Sequence, residues 1–190
     1  VEQMFQVARD GAQSCAFRGG YVNVGANVGS LALPVAAWLR ARHVEMGCGG
    51  VPAKVAAFEP SRMNAALLRR SVNESGLTNL ELHNLAVVAR RPQELLCLPE
   101  PCSYNMGALS LAERIAPAEG ASSCPRGSTA TTTSSLDELA GVSDTVRRAA
   151  LLTIDCEGCE GAAIRGAAHW LGGRVPSAPG PCIVCTEFTQ

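Results

Sequence analysis

Short apolar segments recur along this 190-residue chain and alternate with segments of helical spacing, and this alternation constrains the fold more than any other feature. Most of the apolar segments have no polar face, which is typical of strands in a parallel sheet that helices cover on both sides. Strands are predicted at residues 21–24, 54–58, 80–84, 150–154 and 182–185. The predicted fold class is therefore α/β, a three-layer sandwich around a mostly parallel sheet.

Helices are predicted between these strands. They cover residues 1–16, 30–42, 61–75, 136–140 and 160–171. Ser30 and Ser61 stand where N-caps are expected, and Gly76 stands where a helix commonly ends. Pro34 is expected to bend the helix that begins at Ser30.

The stretch 90–135 is the least regular part of the chain, because it contains five prolines and a polar run of serines and threonines from Ser128 to Ser135. Short strands are predicted within it at 94–98 and 108–111. The chain length suits one domain. We therefore expect a single domain over residues 1–190 with an irregular excursion at about 90–135.

Composition argues against nucleic acid or a membrane as the partner. The net charge is -1 and the pI is near 6.3, whereas nucleic-acid binding usually needs a basic face. The longest apolar stretch, 31–39, contains Pro34 and is far shorter than the about 20 residues of a membrane helix. The chain begins at Val1 with no basic signal-peptide region, and we expect it to be excised from a longer protein.

Nine cysteines allow two interpretations. Reduced thiols in a cytoplasmic protein are favoured, because the cysteines lie in predicted strands and helices and do not dominate a short secreted scaffold. The alternative is a zinc-stabilised interaction domain, since Cys156, Cys159, Cys182 and Cys185 have the spacing C-x2-C-x22-C-x2-C. Residues three apart on a strand point to opposite faces, so Cys182 and Cys185 do not suit one metal. No metal site is predicted.

The first predicted strand runs into the turn Val24-Gly25-Ala26-Asn27-Val28-Gly29. Glycines there let the backbone approach a ligand closely, and the following helix presents free N–H groups. Asn27 occupies the middle glycine position of the dinucleotide motif G-x-G-x-x-G. A pyrophosphate therefore fits less well than a nucleoside with a zwitterionic amino-acid tail. The alternative is a plain structural turn.

Acidic residues follow the second and fourth predicted strands. Glu59 lies 30 residues beyond Gly29 and can accept hydrogen bonds from both ribose hydroxyls of a nucleoside. Asp155, Glu157 and Glu160 follow strand 150–154. A capping role at the next helix explains Glu160 but explains Asp155 less well. Since ligands bind at the carboxyl ends of strands in open α/β sheets, these acids and the glycine turn predict a ligand site.

Taken together, these segments resemble the FkbM family of methyltransferases. The matching segments, in chain order, are residues 22–29, 57–60, 73–79, 84–86, 136–139, 154–160 with Ile164 and Gly166, and 186–188. They run in family order and cover most of the chain. The resemblance implies a class I methyltransferase (Rossmann-like) fold, S-adenosylmethionine as the cofactor, and methylation of a hydroxyl on a sugar or small metabolite.

The resemblance also implies roles for individual residues. The implied cofactor-binding residues are Asn23, Gly25, Ala26, Asn27, Gly29, Ser30, Glu59, Pro60, Ser61, Asn84, Leu85, Ala86 and Asp155. The turn would hold the methionine part of the cofactor, Glu59 the ribose, and residues 84–86 would lie near the adenine. Asp155 would sit at the reaction centre.

Transfer to an alcohol benefits from a general base, and Asp155 and Glu157 are the local candidates. His83 and His169 are more distant candidates, for which a packed or solvated side chain is the alternative. Asn105 and Gly107, in the irregular stretch, are predicted on the acceptor side, and the alternative there is a turn.

Three features depart from the family pattern. The family usually has Asp at the position of Asn23, and Asn keeps an acceptor but loses the charge that favours the cofactor's ammonium group. It usually has Lys at the position of Thr153. The chain also stops at Gln190, without the antiparallel strands that normally complete this sheet. A cofactor-binding domain without catalysis is therefore the alternative function.

Overall fold

Five parallel strands form the main sheet of the computed structural model, which describes residues 19–89, 96–99, 123–176, 180–181 and 183–186. In spatial order they are β3 (Leu80–His83), β2 (Val55–Phe58), β1 (Gly20–Val24), β7 (Ala149–Ile154) and β8 (Ile183–Thr186). Every neighbouring pair is parallel. Counted along the chain within this sheet, the order is 3-2-1-4-5, which is the order of a Rossmann-like fold. The predicted parallel α/β sheet is confirmed.

Helices cover both faces of this sheet. They are α1 (Ala32–Glu45), α2 (Arg62–Glu74), α3 (Leu136–Val142), α4 (Asp144–Arg147), α5 (Glu160–Arg165) and α6 (Ala168–Leu171). One apolar cluster joins β1, β2 and β7 to α3, α5 and α6, and a second joins the same strands to α1 and α2. The chain therefore has a three-layer α/β fold of the Rossmann-like type. Among the described residues, no helix combines the length and apolar character needed to cross a membrane.

A smaller sheet lies beside the main one. Its strands are β4 (Leu85–Val87), β6 (Ser128–Ser134) and β5 (Leu96–Pro99). Strand β6 pairs parallel with β4 and antiparallel with β5. The expectation of irregular structure over the polar run is wrong for β6, because its four threonines favour extended backbone. The strand predicted at 108–111 and the helix at 1–16 lie outside the described residues.

The N-terminal ends of α1 and α2 differ in their capping. Ser61 caps α2 as predicted, since its Oγ accepts a hydrogen bond from the Asn64 amide at 3.3 Å. The prediction that Ser30 caps α1 is wrong, because the cap position is Leu31 and no side chain bonds the helix end. Pro34 lies in the first turn, where amides have no partner within the helix, and α1 continues past it to Glu45.

The single helix predicted at 160–171 is two short helices, α5 and α6, so that prediction is wrong. The break lies at Gly166, where a Cβ would be only 2.2 Å from the Val88 carbonyl oxygen. The Gly166 carbonyl accepts a hydrogen bond from the Asp137 amide at 2.8 Å. The Asp137 carboxylate in turn accepts from the Trp170 amide at 2.8 Å and holds the start of α6. Tertiary contacts therefore break the helix in a segment whose sequence pattern predicts a continuous one.

Two disulfides have both of their cysteines among the described residues, where reduced thiols are predicted. Cys97 bonds Cys124 across 27 residues of chain, and Cys156 bonds Cys159 in the loop after β7. The expectation of reduced thiols is therefore wrong at these positions. The four-cysteine zinc site is also excluded, because Cys156 and Cys159 are bonded to each other. Within the described parts of the chain, no group of three or more His, Cys, Asp or Glu side chains is placed to hold a metal.

Candidate functional site

The direction of the strand order changes between β1 and β7, which lie side by side at the centre of the main sheet. In open α/β sheets, ligands bind outside the carboxyl ends of the strands at such a point. The glycine turn follows β1, Asp155 follows β7, and Glu59 follows the neighbouring strand β2. The fold therefore brings the three features predicted from sequence to one edge of the sheet.

The turn after β1 is held by its own backbone. The amides of Gly25 and Ala26 both donate to the Phe58 carbonyl at 3.0 Å, and the Gly29 amide donates to the Ala26 carbonyl at 2.8 Å. Gly25, Asn27 and Gly29 have φ angles of 81°, 50° and 97°. Asn27 is one of the few residue types that tolerate this left-handed region. The turn is thus a tight loop at the edge of the sheet.

Gly25 is the point at which the turn meets the loop after β7. A Cβ added to Gly25 would lie 1.8 Å from the Asp155 carbonyl oxygen, so only glycine fits there. The Asp155 amide donates to the Val24 carbonyl at 3.0 Å. The Asp155 side chain is exposed. The two halves of the candidate site are therefore in direct backbone contact.

Glu59 is a buried acid, only 5% exposed, that ties the turn to the start of α2. Its Oε2 accepts from the Asn27 amide and its Oε1 from the Ser61 amide, both at 2.8 Å. The Asn64 side chain is a third hydrogen-bond partner. Burial raises the pKa of the Glu59 carboxyl, against the lowering effect of these donors. A carboxylate has about four lone-pair positions, so one remains for a ligand.

The raised pKa of Glu59 predicts how stability depends on pH. The protonated form is favoured in the folded state, so the contribution of Glu59 to stability is complete below the ordinary pKa of 4.5 and is lost as pH rises through the raised value. We expect the unfolding free energy of the wild type to fall, relative to that of Glu59→Gln, as the pH rises above the ordinary pKa of 4.5. Denaturant unfolding at a series of pH values measures this difference. Glu74→Gln, at an exposed position, is the control, and an unchanging difference for Glu59→Gln would contradict the prediction.

Asn84 links the end of β3 to the end of β2. Its Nδ2 donates to the carbonyl oxygens of Glu59 and Pro60, at 2.8 and 3.1 Å. Leu85 is half-buried beside it, and Ala86 is completely buried in the core. Asn84 therefore holds the backbone at Glu59 and Pro60 through these hydrogen bonds. Because Ala86 is buried, any side-chain contact of this segment with a ligand is made by Asn84 or Leu85.

A buried chain of hydrogen bonds runs beneath the turn. Asn23 Nδ2 donates to Thr153 Oγ1 at 3.0 Å, and Thr153 Oγ1 is 2.6 Å from the Tyr21 hydroxyl. Asn23 and Thr153 are register neighbours in β1 and β7. Asn23 is a predicted site residue, whereas its two partners have no predicted role. The carbonyl oxygen Oδ1 of Asn23 is buried and has no hydrogen-bond partner among the described residues.

The loop after β7 is closed on itself by several contacts. Glu160 is buried and accepts hydrogen bonds from the amides of Cys156 and Gly158, at 3.0 to 3.2 Å. Glu157 has a φ of 51°, in the left-handed region that is unusual for a non-glycine residue. The Cys156–Cys159 disulfide spans the same residues. These contacts fix the backbone next to Asp155. Glu160 therefore has a structural role, but it holds the loop before α5 and does not cap the helix as predicted.

The remaining predicted residues have different surroundings. The amide and Oγ of Ser61 are both used within the fold, by Glu59 and by the α2 cap. Ser30 is exposed at the far end of the turn. Asn105 and Gly107 lie outside the described residues, so the acceptor side remains a prediction.

The two histidines have distinct environments. The His83 ring stacks on Phe58 with the ring centroids 5.0 Å apart, at the carboxyl ends of β3 and β2. Burial lowers the pKa of His83, which favours the neutral imidazole. His169 is exposed on α6. Of the two, His83 lies at the edge of the sheet that carries the candidate site.

An open groove of about 860 Å³ runs along α1 and reaches the outer side of the turn at Val28 and Gly29. It is lined mainly by apolar side chains, among them Leu33, Ala37 and Val44. Glu59 and Asp155 do not line it. The groove therefore shares Gly29 and Ser30 with the predicted cofactor-binding residues but does not include the two acids.

A solved structure, described as "Methyltransferase FkbM from Methylobacillus flagellatus KT", is similar to this chain. The match has a TM-score of 0.46 and 14% sequence identity, and it covers 83% of this chain and 31% of the other. The present chain thus spans about a third of the length of that protein. Searches against family models and against curated proteins find no match.

Proposed function

We propose that this chain binds S-adenosylmethionine at the edge formed by β1, β2 and β7, and transfers its methyl group to a hydroxyl on a sugar or small metabolite. The observation that carries the proposal is the backbone contact between Gly25 and Asp155 at the point where the strand order reverses. This contact places a close-approach glycine turn, suited to a cofactor, beside an exposed carboxylate, suited to proton transfer.

The donor set suits this cofactor better than a dinucleotide. The amide oxygens of Asn23 and Asn27 are both buried and accept no hydrogen bond from the described residues, so they offer sites to a donor such as an ammonium group. Glu59 retains one lone-pair position for a ribose hydroxyl. A pyrophosphate, which has acceptors only, would find these carbonyl and carboxylate oxygens repulsive.

The residues of the loop after β7 would then act on the acceptor. S-adenosylmethionine supplies a methyl group on a positively charged sulfur and leaves as S-adenosylhomocysteine. Asp155 would orient the acceptor hydroxyl and take its proton, and Glu157 is the second candidate for that proton. Glu160 and the disulfide hold this loop still, which keeps the carboxylate aligned with the cofactor turn.

Isothermal titration calorimetry with S-adenosylmethionine and S-adenosylhomocysteine tests the binding half of the proposal. We expect both ligands to bind with one site per chain, because the proposed contacts are to the parts that they share. Absence of binding for both ligands would overturn the proposal. Binding without methylation of any hydroxylated acceptor in a broad panel would favour the alternative, a cofactor-binding domain without catalysis.

A further inference from the structure

Three buried side chains form the hydrogen-bond chain beneath the turn. Tyr21, Asn23 and Thr153 are each at most 4% exposed. Tyr21 and Asn23 are two residues apart on β1 and so share a face of the sheet, and Thr153 is the register neighbour of Asn23 on β7. The Asn23 amide nitrogen is held by Thr153 Oγ1, which in turn contacts the Tyr21 hydroxyl.

This arrangement decides which way the Asn23 amide faces. Because its NH2 group is used by Thr153, its carbonyl oxygen points away from that partner and is the atom left over. That oxygen is buried and has no partner among the described residues. Buried polar atoms are almost always hydrogen-bonded, and an orphan is explained by a missing ligand or water. Asn23 also stands two residues before Gly25, directly beneath the cofactor turn.

We propose that Thr153, supported by Tyr21, is a positioning residue that aims the Asn23 carbonyl oxygen at the ammonium group of the methionine part of S-adenosylmethionine. The inference rests on the proposed function and adds the two residues that orient the Asn23 amide. An ammonium group has three N–H donors and suits the amide oxygens of Asn23 and Asn27. Burial raises the pKa of Tyr21, so its phenol stays protonated and the chain stays neutral.

A comparison of two ligands tests this role. S-adenosylmethionine has the amino-acid part, whereas 5′-methylthioadenosine keeps the nucleoside and lacks that part. In Thr153→Val the hydroxyl is removed with little change of shape, and the Asn23 amide is free to turn. We expect the dissociation constant of S-adenosylmethionine to rise about tenfold, as for loss of one hydrogen bond to a charged group. The dissociation constant of 5′-methylthioadenosine should be unchanged.

Two further variants sharpen the test. Thr153→Ser keeps the hydroxyl and should restore the wild-type affinity for S-adenosylmethionine. Tyr21→Phe removes only the second partner and should weaken the same ligand to a smaller degree. If Thr153→Val does not fold, Tyr21→Phe replaces it, and the same pair of ligands decides the outcome.

The results separate this inference from the proposed function. Equal weakening of both ligands in Thr153→Val would show general damage to the site and overturn the positioning role. Unchanged affinity for both ligands would overturn it as well. Failure of the wild-type chain to bind S-adenosylmethionine would overturn the proposed function, and the inference with it.

Discussion

A Gly25→Ala variant should lose about 2–5 kcal/mol of unfolding free energy and should no longer bind S-adenosylmethionine. Gly25 has a φ of 81°, which for alanine costs about 1–2 kcal/mol. The added Cβ would also lie 1.8 Å from the Asp155 carbonyl oxygen, so the ends of β1 and β7 must move apart. Overpacking of this kind costs about 1–3 kcal/mol more. The same movement would separate the cofactor turn from Asp155.

Gly127→Ala is the matched control for this variant. Gly127 has a φ of 77°, close to that of Gly25, but a Cβ at Gly127 has no atom within 4 Å. Gly127→Ala should therefore show only the backbone term, about 1–2 kcal/mol. Its affinity for S-adenosylmethionine should equal that of the wild type. Denaturant unfolding and calorimetry measure the two quantities, and equal effects of the two variants would refute a specific contact between Gly25 and Asp155.

The position of the candidate site could be predicted from sequence because it depends on where the strands end. Apolar runs come directly before Gly25, Glu59 and Asp155, so each of these residues is predicted to follow a strand. A parallel sheet brings such residues together at one edge. The contact between Gly25 and Asp155 could not be predicted in this way. It depends on the register of β1 against β7, which is set by packing on both faces of the sheet and leaves no local pattern in either segment.

Local patterns also fail where a residue acts through distant partners. Strand β6 has no apolar alternation and is extended because it pairs with two other strands. The break between α5 and α6 depends on Val88, more than 70 residues away in the chain. The C-x-x-C spacing of Cys156 and Cys159 is also typical of metal ligands, so the spacing alone does not predict their disulfide. Each of these features depends on contacts that hydrophobic periodicity does not reveal.

Asn23 and Thr153, at two positions where the sequence departs from the pattern of the resembled family, contact each other in the folded chain. They are register neighbours, and Asn23 Nδ2 donates to Thr153 Oγ1 at 3.0 Å. Because both partners are neutral, this contact leaves no buried charge unpaired.

An Asp155→Asn variant should lower the turnover number by about 10²–10⁴-fold, the usual contribution of a general base, while the dissociation constant of S-adenosylmethionine stays within about threefold of the wild type. Asparagine has the same shape and keeps the backbone contacts with Val24 and Gly25, so the cofactor turn is not disturbed. It cannot accept a proton at neutral pH. The rate of S-adenosylhomocysteine release, with an acceptor that the wild type methylates, measures turnover, and calorimetry measures binding.

Two other variants decide what a loss of turnover means. Asp144→Asn changes an exposed acid on α4 that pairs with Arg147 and Arg148, and it should behave as the wild type. Glu157→Gln tests the second candidate. A larger loss of turnover in this variant than in Asp155→Asn would identify Glu157 as the general base. Equal losses of turnover and affinity in Asp155→Asn would assign Asp155 to cofactor binding instead. Gly25 contacts the Asp155 backbone and not its carboxylate. The Gly25→Ala variant therefore tests the geometry of the site, whereas Asp155→Asn tests proton transfer.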